Sequence, residues 1–253
     1  MHLLVTGSSG LIGTATVDAA TARGDAVTRL VRRSSAPATG TPPAGVTDVT
    51  WDPDAGHVDL DALAATGPVD GVVHLAGAGV GDKRWNPARK RVIVESRTRG
   101  TDLLARTVAL HLRTGIVLSP TGGALAKQLP LFRLGVGGRI GSGRQYRSWI
   151  TLDDEVRAIL HCLDDAELSG AVNATAPSPA TDAELAASIG AALHRPAVLP
   201  VPAVALKVAL GPEMATDMVL ASQRAVPSRL TATGFVFRHA DLDEAVRSVL
   251  ART

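Results

Sequence analysis

A glycine-rich loop near the start of the chain constrains the fold more than any other feature. The loop reads Thr6-Gly7-Ser8-Ser9-Gly10-Leu11-Ile12-Gly13, between an aliphatic run at 2–5 and an apolar segment with helical spacing at 11–23. In a strand–loop–helix unit of this spacing, the first glycine permits a tight turn and the second lets the backbone approach a pyrophosphate. The third glycine lets the helix pack closely on the strand. We therefore predict that residues 7–13 cradle a dinucleotide at a helix N-terminus.

Strand-like and helix-like segments alternate through the first half of the chain. Strands are predicted at 2–5, 26–31, 46–51, 70–75 and 112–118, and helices at 11–23, 60–65 and 87–110. This alternation is typical of a parallel sheet covered by helices on both faces. The predicted fold class is α/β, a Rossmann-type doubly wound parallel sheet followed by a small C-terminal α+β domain on the substrate side. Residues 1–120 are assigned to the dinucleotide-binding domain and residues 121–253 to the second domain.

The second half is divided into shorter segments by many glycines. Strands are predicted at 148–152 and 171–174, and a helix at 153–163 whose leading acidic pair suits a helix N-terminus. Another helix begins at Thr181, because Glu184 follows three positions later in a capping-box pattern.

The end of the second predicted strand indicates which dinucleotide the loop would hold. It reads Leu30-Val31-Arg32-Arg33-Ser34, without the acidic residue that a site for NAD usually places there. Two guanidiniums and a hydroxyl suit a 2′-phosphate, because arginine binds phosphate through paired hydrogen bonds. We therefore predict NADP(H) as the cofactor, the alternative being two solvated arginines at a strand end.

Composition argues against several other classes of protein. The formal charge of the 253 residues is +2, and no basic stripe is interleaved with aromatic residues, so no nucleic-acid partner is expected. No stretch approaches the roughly 20 apolar residues that a membrane span requires. The one cysteine, Cys162, cannot form an internal disulfide, which fits a cytoplasmic location. The histidines show no metal-ligand spacing, so no metal is expected.

Longer motifs resemble a known family. Val72-Val73-His74-Leu75-Ala76-Gly77 resembles the strand-plus-Ala-Gly motif that lies beside the cofactor in extended short-chain dehydrogenases/reductases. Motifs later in the chain resemble the sugar-epimerase-like atypical subgroup, family 39U, with its characteristic C-terminal domain. They are LRTGIVLSP at 112–120, GSGRQ at 141–145, WITLDD at 149–154, VNATAP at 172–177, SQRAVP at 222–227 and GFVF at 234–237. The resemblance extends over nearly the whole chain.

The resemblance implies further cofactor contacts beyond the glycine loop. They are Val31 and Arg32, Leu75 and Ala76 with the adjoining Gly77, Arg97 on the long helix, and the backbone of Val117 near the nicotinamide. From the residues alone, Arg97 could equally be a solvated helix arginine, and Val117 a core valine.

The chain departs from the family pattern at the catalytic residues. Hydride-transfer enzymes of this superfamily carry a Tyr-x-x-x-Lys pair, but the one tyrosine is Tyr146 and position 150 is Ile. Members of the family have a further strand and helix before the strand at Leu112, a unit of roughly 30 residues or more. Here His111 joins the long helix to that strand almost directly. Either the protein is natively short, with the later strand taking the missing strand's place, or the sequence has lost a segment.

Two functions remain open at this point. The first is an NADP(H)-dependent oxidoreductase or epimerase-like enzyme for a small substrate, in which Tyr146 is a candidate proton donor that no lysine activates. The second is a non-catalytic NADP(H)-binding sensor or scaffold. The loop Asp82-Lys83-Arg84-Trp85 either lines the pocket or is a polar loop anchored by its tryptophan. A homodimer is a further expectation.

Overall fold

The computed structural model describes residues 1–32, 42–104, 110–165, 167–168 and 170–251. The chain forms two compact units. The first comprises Met1–Asp82, Asn86–Ala109 and Cys162–Glu167, and the second comprises Lys83–Trp85, Leu110–His161 and Leu168–Thr253.

The first unit is built on a five-stranded sheet. Its strands are β1 His2–Thr6, β2 Ala26–Arg32, β3 Val46–Asp52, β4 His57–Val58 and β5 Gly71–His74, in the order β4-β3-β2-β1-β5. The strands β1, β2, β3 and β5 are parallel, and β4 alone runs antiparallel, against β3. The helices are α1 Leu11–Ala22, α2 Leu60–Ala64 and α3 Pro87–Leu104.

Burial of aliphatic side chains explains the parallel sheet. Leu3, Leu4 and Val5 on β1, which lies between β2 and β5, are all buried, as expected when helices cover both faces of a sheet. Leu4 packs in one core cluster with Leu30 and Trp51 from the neighbouring strands. The predicted Rossmann-type α/β fold is confirmed. The strands and helices predicted up to residue 75 lie within one or two residues of their predicted bounds, but the short strand β4 was not predicted.

The second unit pairs its strands two at a time. β6 Leu110–Thr114 pairs with β10 Gly170–Ala174, and β7 Ile116–Leu118 with β9 Trp149–Thr151, both parallel. β8 Tyr146–Arg147 and β11 Ala180–Thr181 are antiparallel. The helices are α4 Gly123–Arg133, α5 Leu152–Asp164, α6 Asp182–Ala192, α7 Ala203–Leu210, α8 Pro212–Met214, a π-helical turn Ala215–Val219, α9 Ser228–Ala232 and α10 Leu242–Leu250. The capping box predicted at Thr181 and Glu184 is present.

The strand predicted at 112–118 is two strands that meet at Gly115. The Gly115 amide donates to the Ala174 carbonyl, whereas the Ile116 amide donates to the Ser148 carbonyl, so the chain changes partner there. A Cβ at Gly115 would lie 2.5 Å from that Ser148 oxygen, and only glycine fits. The helix predicted at 87–110 was also too long, because α3 ends at 104 and Leu110 begins β6, with 105–109 outside the described residues.

The edge of the first sheet corrects one further expectation. Among the described residues, β5 pairs with β1 alone. The later strand expected in the missing strand's place instead pairs within the second unit, β6 with β10 and β7 with β9. Within the described ranges, no helix combines the length and apolar character needed to cross a membrane.

Candidate functional site

A cavity of about 1100 Å³ opens at the carboxyl ends of the parallel strands in the first unit. This is where ligands bind in open α/β sheets. The glycine loop, the end of β2, the turn after β3, the segment after β5 and helix α3 all contribute to its wall. Seven of the predicted site residues line it together, namely Gly7, Ser8, Ser9, Val31, Arg32, Ala76 and Gly77.

Two glycines of the loop are required by packing. Gly7 has φ of +69°, and a Cβ there would lie 2.7 Å from the Ala76 amide nitrogen. A Cβ at Gly13 would lie 2.2 Å from the Gly7 carbonyl oxygen. Larger residues would therefore push the loop away from both β5 and helix α1.

The second glycine leaves the start of helix α1 open. Gly10 is the N-cap of this helix and supplies no side-chain hydrogen bond to it, and the first turn contains no acidic residue. The amides of a first helical turn have no partner inside the helix and carry the positive end of its dipole. The predicted contact residues Leu11, Ile12 and Gly13 form this turn. Its chemistry fits a pyrophosphate, although these three do not line the cavity wall themselves.

Hydrogen bonds from two sides fix the wall after β5. The Thr6 hydroxyl accepts from the Ala76 amide at 3.2 Å and forms a second hydrogen bond, of 2.6 Å, with His74 Nδ1. Burial of the imidazole lowers the pKa of His74. From helix α3, the Ser96 hydroxyl accepts from the Ala78 amide at 3.0 Å.

Arg97 braces the same segment. Its Nη1 donates to the Ala78 carbonyl at 3.2 Å and to the Ile93 carbonyl at 3.0 Å. A Cβ at Gly77 would lie 3.4 Å from the Arg97 Cζ, so the guanidinium packs directly on this glycine. Arg97 is not part of the cavity wall, and its direct contact with a cofactor stays a prediction.

Charged side chains surround the end of β2. Arg29 binds Asp48 on β3 through two hydrogen bonds of 2.6 and 2.8 Å. Arg32 Nη1 lies 3.6 Å from Asp54 Oδ2, and the Asp54 carboxylate also lies 4.0 Å from Arg99 Nη1. Arg32 therefore lines the cavity, and its guanidinium faces the carboxylate of Asp54, which the sequence analysis did not identify.

Sequence reasoning missed several lining residues, among them the polar Thr50, Asp54, Glu95 and Ser96. The order of the strands in the sheet could have identified Thr50 and Asp54. Because β3 follows β2 in the sheet, its carboxyl end must lie beside Arg32. Of Glu95, Ser96 and Arg97, only the arginine is among the predicted cofactor contacts.

Other predicted residues lie away from this cavity or outside the described residues. Arg33 and Ser34 fall outside them. Val117 and Tyr146 belong to β7 and β8 of the second unit. Tyr146 is 37% exposed, and its ring lies 5.6 Å from the guanidinium carbon of Arg224. Arg84 donates to the carbonyls of Val208 and Ala209, which favours the structural interpretation of the loop at 82–85.

Comparison with known proteins decides the family. The model of the NAD dependent epimerase/dehydratase family matches residues 3–121, and a domain of unknown function, DUF1731, matches residues 201–249. Epimerase family protein MT2273 of Mycobacterium tuberculosis is 36% identical over 298 residues, covering 96% of this chain and 95% of the relative. This chain belongs to the epimerase family of extended short-chain dehydrogenases/reductases, in its 39U subgroup.

Solved structures agree with this assignment to the 39U subgroup. The crystal structure of human epimerase family protein SDR39U1 (isoform 2) with NADPH superposes with a TM-score of 0.84 at 29% identity, covering 100% of both chains. The nucleoside-diphosphate sugar epimerase of Corynebacterium glutamicum gives a TM-score of 0.68 at 25% identity, covering 100% of this chain and 58% of the other. These matches and the DUF1731 match confirm the predicted small C-terminal domain.

The aligned lengths bear on the missing strand–helix unit. The alignments with the mycobacterial relative and with human SDR39U1 run over 298 and 313 residues, more than the 253 of this chain. These relatives therefore carry residues without a counterpart here, as the motif spacing indicated.

Proposed function

We propose that this 39U family member binds NADP(H) in the cavity of the first unit and acts as an oxidoreductase or epimerase-like enzyme on a small carbonyl or hydroxyl substrate. The observation that carries the proposal is that Gly7, Ser8 and Ser9, which lead into the open N-terminus of α1, line one cavity together with Arg32. The human relative crystallised with NADPH supports the choice of cofactor.

The cofactor's phosphates would be bound at two places. The amides at the start of α1 would bind the pyrophosphate, because Gly10 leaves them uncapped. Arg32 would bind the 2′-phosphate, since no acidic residue ends β2. Arg33 and Ser34 are proposed to assist Arg32 there.

The segment after β5 would orient the rest of the cofactor. Thr6, Ser96 and Arg97 each hydrogen-bond to backbone between 76 and 78, which keeps this wall rigid before anything binds. A rigid wall reduces the conformational entropy lost on binding. Leu75 and Val117 are proposed as further backbone contacts.

Transfer of a hydride to or from a carbon bearing oxygen is the chemistry that a nicotinamide supplies when bound. In the proposed division of the chain, residues 1–120 hold the cofactor and residues 121–253 cover the substrate. Tyr146 is the proposed proton donor. It requires activation by a group other than the absent lysine of Tyr-x-x-x-Lys.

The missing lysine favours a second candidate function, a non-catalytic NADP(H)-binding sensor or scaffold. The cofactor site would be the same in both cases, so binding alone does not separate them. Turnover does. Homodimer formation and a cytoplasmic location remain predictions.

Calorimetric titration of the Arg32→Ala variant with NADPH and NADH tests the cofactor site. We expect NADPH to bind about tenfold or more weakly, because a hydrogen bond to a charged group contributes roughly 1.5–3 kcal/mol. NADH should change less than about twofold, since it lacks the 2′-phosphate. Arg91→Ala, at an exposed position of α3, is the matched control. Equal losses of both nucleotides would show that Arg32 does not contact the 2′-phosphate.

NADPH oxidation with a panel of carbonyl compounds and nucleotide sugars tests the reaction. On an active enzyme, Tyr146→Phe should lower kcat while KM changes little, because only the proton transfer is lost. Tight NADPH binding without turnover on any substrate would reject the enzyme and support the sensor or scaffold.

A further inference from the structure

A group of alternating charges lies where Arg32 and Asp54 line the cavity of the first unit, with Arg99 next to Asp54 but outside the lining itself. Asp54 lies between two arginines, 3.6 Å from Arg32 and 4.0 Å from Arg99, and Arg99 in turn lies 3.3 Å from Glu95. We call Arg32, Asp54 and Arg99 the mouth triad. The three side chains are 40%, 65% and 50% exposed, so a ligand can reach each of them.

A tight turn after β3 positions Asp54, the carboxylate of the mouth triad. The amides of Asp54 and Ala55 both donate to Asp52 Oδ1 at 3.0 Å, which closes the turn after β3. Arg32 pairs in register with Trp51 on β3, so this turn necessarily lies beside the end of β2. Sites for NAD carry an acidic residue at the end of the second strand. Here the carboxylate near that position, Asp54, comes instead from the turn after the neighbouring strand β3.

We propose that Asp54 and Arg99 set the discrimination between NADPH and NADH in this protein, with Arg99 as a second guanidinium for the 2′-phosphate. The proposal rests on the proposed function, which assigns the 2′ position to Arg32. Asp54 is the counter-ion that the 2′-phosphate must displace from both arginines.

The charges act in opposite directions on the two nucleotides. A phosphate monoester carries about −1.5 to −2 charge near pH 7, so a carboxylate a few ångströms away opposes its binding. The same carboxylate can accept a hydrogen bond from a free 2′-hydroxyl, as acidic residues do in sites for NAD. Asp54 therefore lowers the affinity for NADPH relative to that for NADH, and Arg99 raises the affinity for NADPH.

The test measures binding of NADPH and NADH to Asp54→Asn and Arg99→Gln variants of the full chain. Because the triad is partly exposed, we expect Asp54→Asn to raise the NADPH/NADH affinity ratio about three- to tenfold, and Arg99→Gln to lower it by a similar factor. Salt should shrink both shifts, since exposed charges are screened. Asp61→Asn and Arg91→Gln remove the same charges at exposed positions of α2 and α3 and should leave the ratio unchanged.

Two smaller probes separate this proposal from the proposed function. Adenosine 2′,5′-bisphosphate carries the 2′-phosphate and 5′-AMP does not, so the ratio of their affinities should shift as for the whole nucleotides. If the wild-type protein binds neither NADPH nor NADH, the proposed function fails. If it binds NADPH but Asp54→Asn and Arg99→Gln leave both ratios unchanged, or shift them no more than the controls do, the role of the mouth triad is rejected while the proposed function stands.

Discussion

Single glycines in the loop at 7–13 have different physical roles. Gly13 is confined by the Gly7 carbonyl, 2.2 Å from where its Cβ would lie, whereas a Cβ at Gly10 would lie 3.3 Å from the same oxygen. Gly10 also has φ of −81°, a conformation open to any residue. Gly13 is thus needed for folding, and Gly10 for access to the helix N-terminus.

Alanine substitutions should separate these roles. Gly10→Ala should retain a near-normal urea midpoint but bind NADPH at least about tenfold more weakly, because its methyl group occupies the approach of the pyrophosphate. Gly13→Ala should lose about 1–3 kcal/mol of unfolding free energy through overpacking. A Gly10→Ala variant with normal affinity would contradict the proposed cradle. Gly24→Ala is unsuitable as a control, because φ there is +89°.

Glu155 is a buried carboxyl group in the second unit. Thr114 donates to its Oε1 at 2.7 Å, and Oε2 has no hydrogen-bond partner among the described residues. Burial raises the pKa of Glu155 to about 7, although the Thr114 hydrogen bond acts in the opposite direction. At pH values between the ordinary carboxyl pKa and about 7, Glu155 therefore keeps its proton in the folded protein but has lost it in the unfolded chain.

This proton makes stability fall as pH rises through that window. Glu155→Gln keeps the shape without the ionisation, so it should exceed the wild type in unfolding free energy at pH 8 by on the order of 1–3 kcal/mol, and match it near pH 5. Urea denaturation at the two pH values measures both.

Glu184→Gln should behave in the opposite way to Glu155→Gln. Hydrogen bonds from Thr181 lower the pKa of Glu184, so the stability that its carboxylate contributes is present above the ordinary carboxyl pKa and lost on acidification.

For the Glu155 prediction, a Glu155→Gln variant with the same pH dependence of stability as the wild type would show that the Glu155 carboxyl does not titrate in this range.

Among the helices, α5 shows how one buried side chain joins distant segments. Asp154 is completely buried and accepts from Arg157 and from the backbone amides of Arg238 and His239, each at 2.9 Å. Its neighbour Asp153 is partly exposed and pairs only with Arg238 among the contacts described. The acidic pair is therefore one internal anchor and one surface charge.

Removing the anchor should cost far more than removing the surface charge. Asp154→Ala should lower the free energy of unfolding by about 3–5 kcal/mol, because it leaves buried donors unpaired. Asp153→Ala should cost less than about 1 kcal/mol, as exposed ion pairs do. Chemical denaturation of both variants makes the comparison, and similar losses would refute the distinction.

The elements that sequence predicted poorly share a physical cause. The strand at 112–118 reads as one aliphatic run, and only the close approach of Ser148 reveals that Gly115 changes partners. Helix α4 at Gly123–Arg133 was missed because glycines surround it and Pro130 lies within it. Local periodicity carries no information about such tertiary contacts.

Over the whole molecule, the sequence identified several residues of the cavity wall but not the charged groups beside them. The glycine loop, Arg32 and the segment after β5 were predictable because each follows a recognisable strand. Asp54 was not, since its position depends on which strand lies beside β2. The place of the later strands was also mispredicted, because β6 and β7 found partners inside the second unit.

NADPH should stabilise the protein as a ligand that binds only the folded state. At a hundred times its dissociation constant, we expect about 2.7 kcal/mol of added unfolding free energy. Urea denaturation followed by circular dichroism, with and without NADPH, measures this gain. The Arg32→Ala variant at the same NADPH concentration should gain much less. An equal gain would mean that the stabilisation does not arise from the proposed site.

The strand order of the first unit has a consequence for biosynthesis. All five strands of its sheet lie between His2 and His74, so every strand pairing can form before the ribosome has made the second half of the chain. Domains commonly fold in this N-terminal-first manner during synthesis. The segment Cys162–Glu167, whose Asp164 binds Arg23 at 2.7 Å, joins the unit last. The first sheet can therefore be complete well before Asp164 is available to bind Arg23.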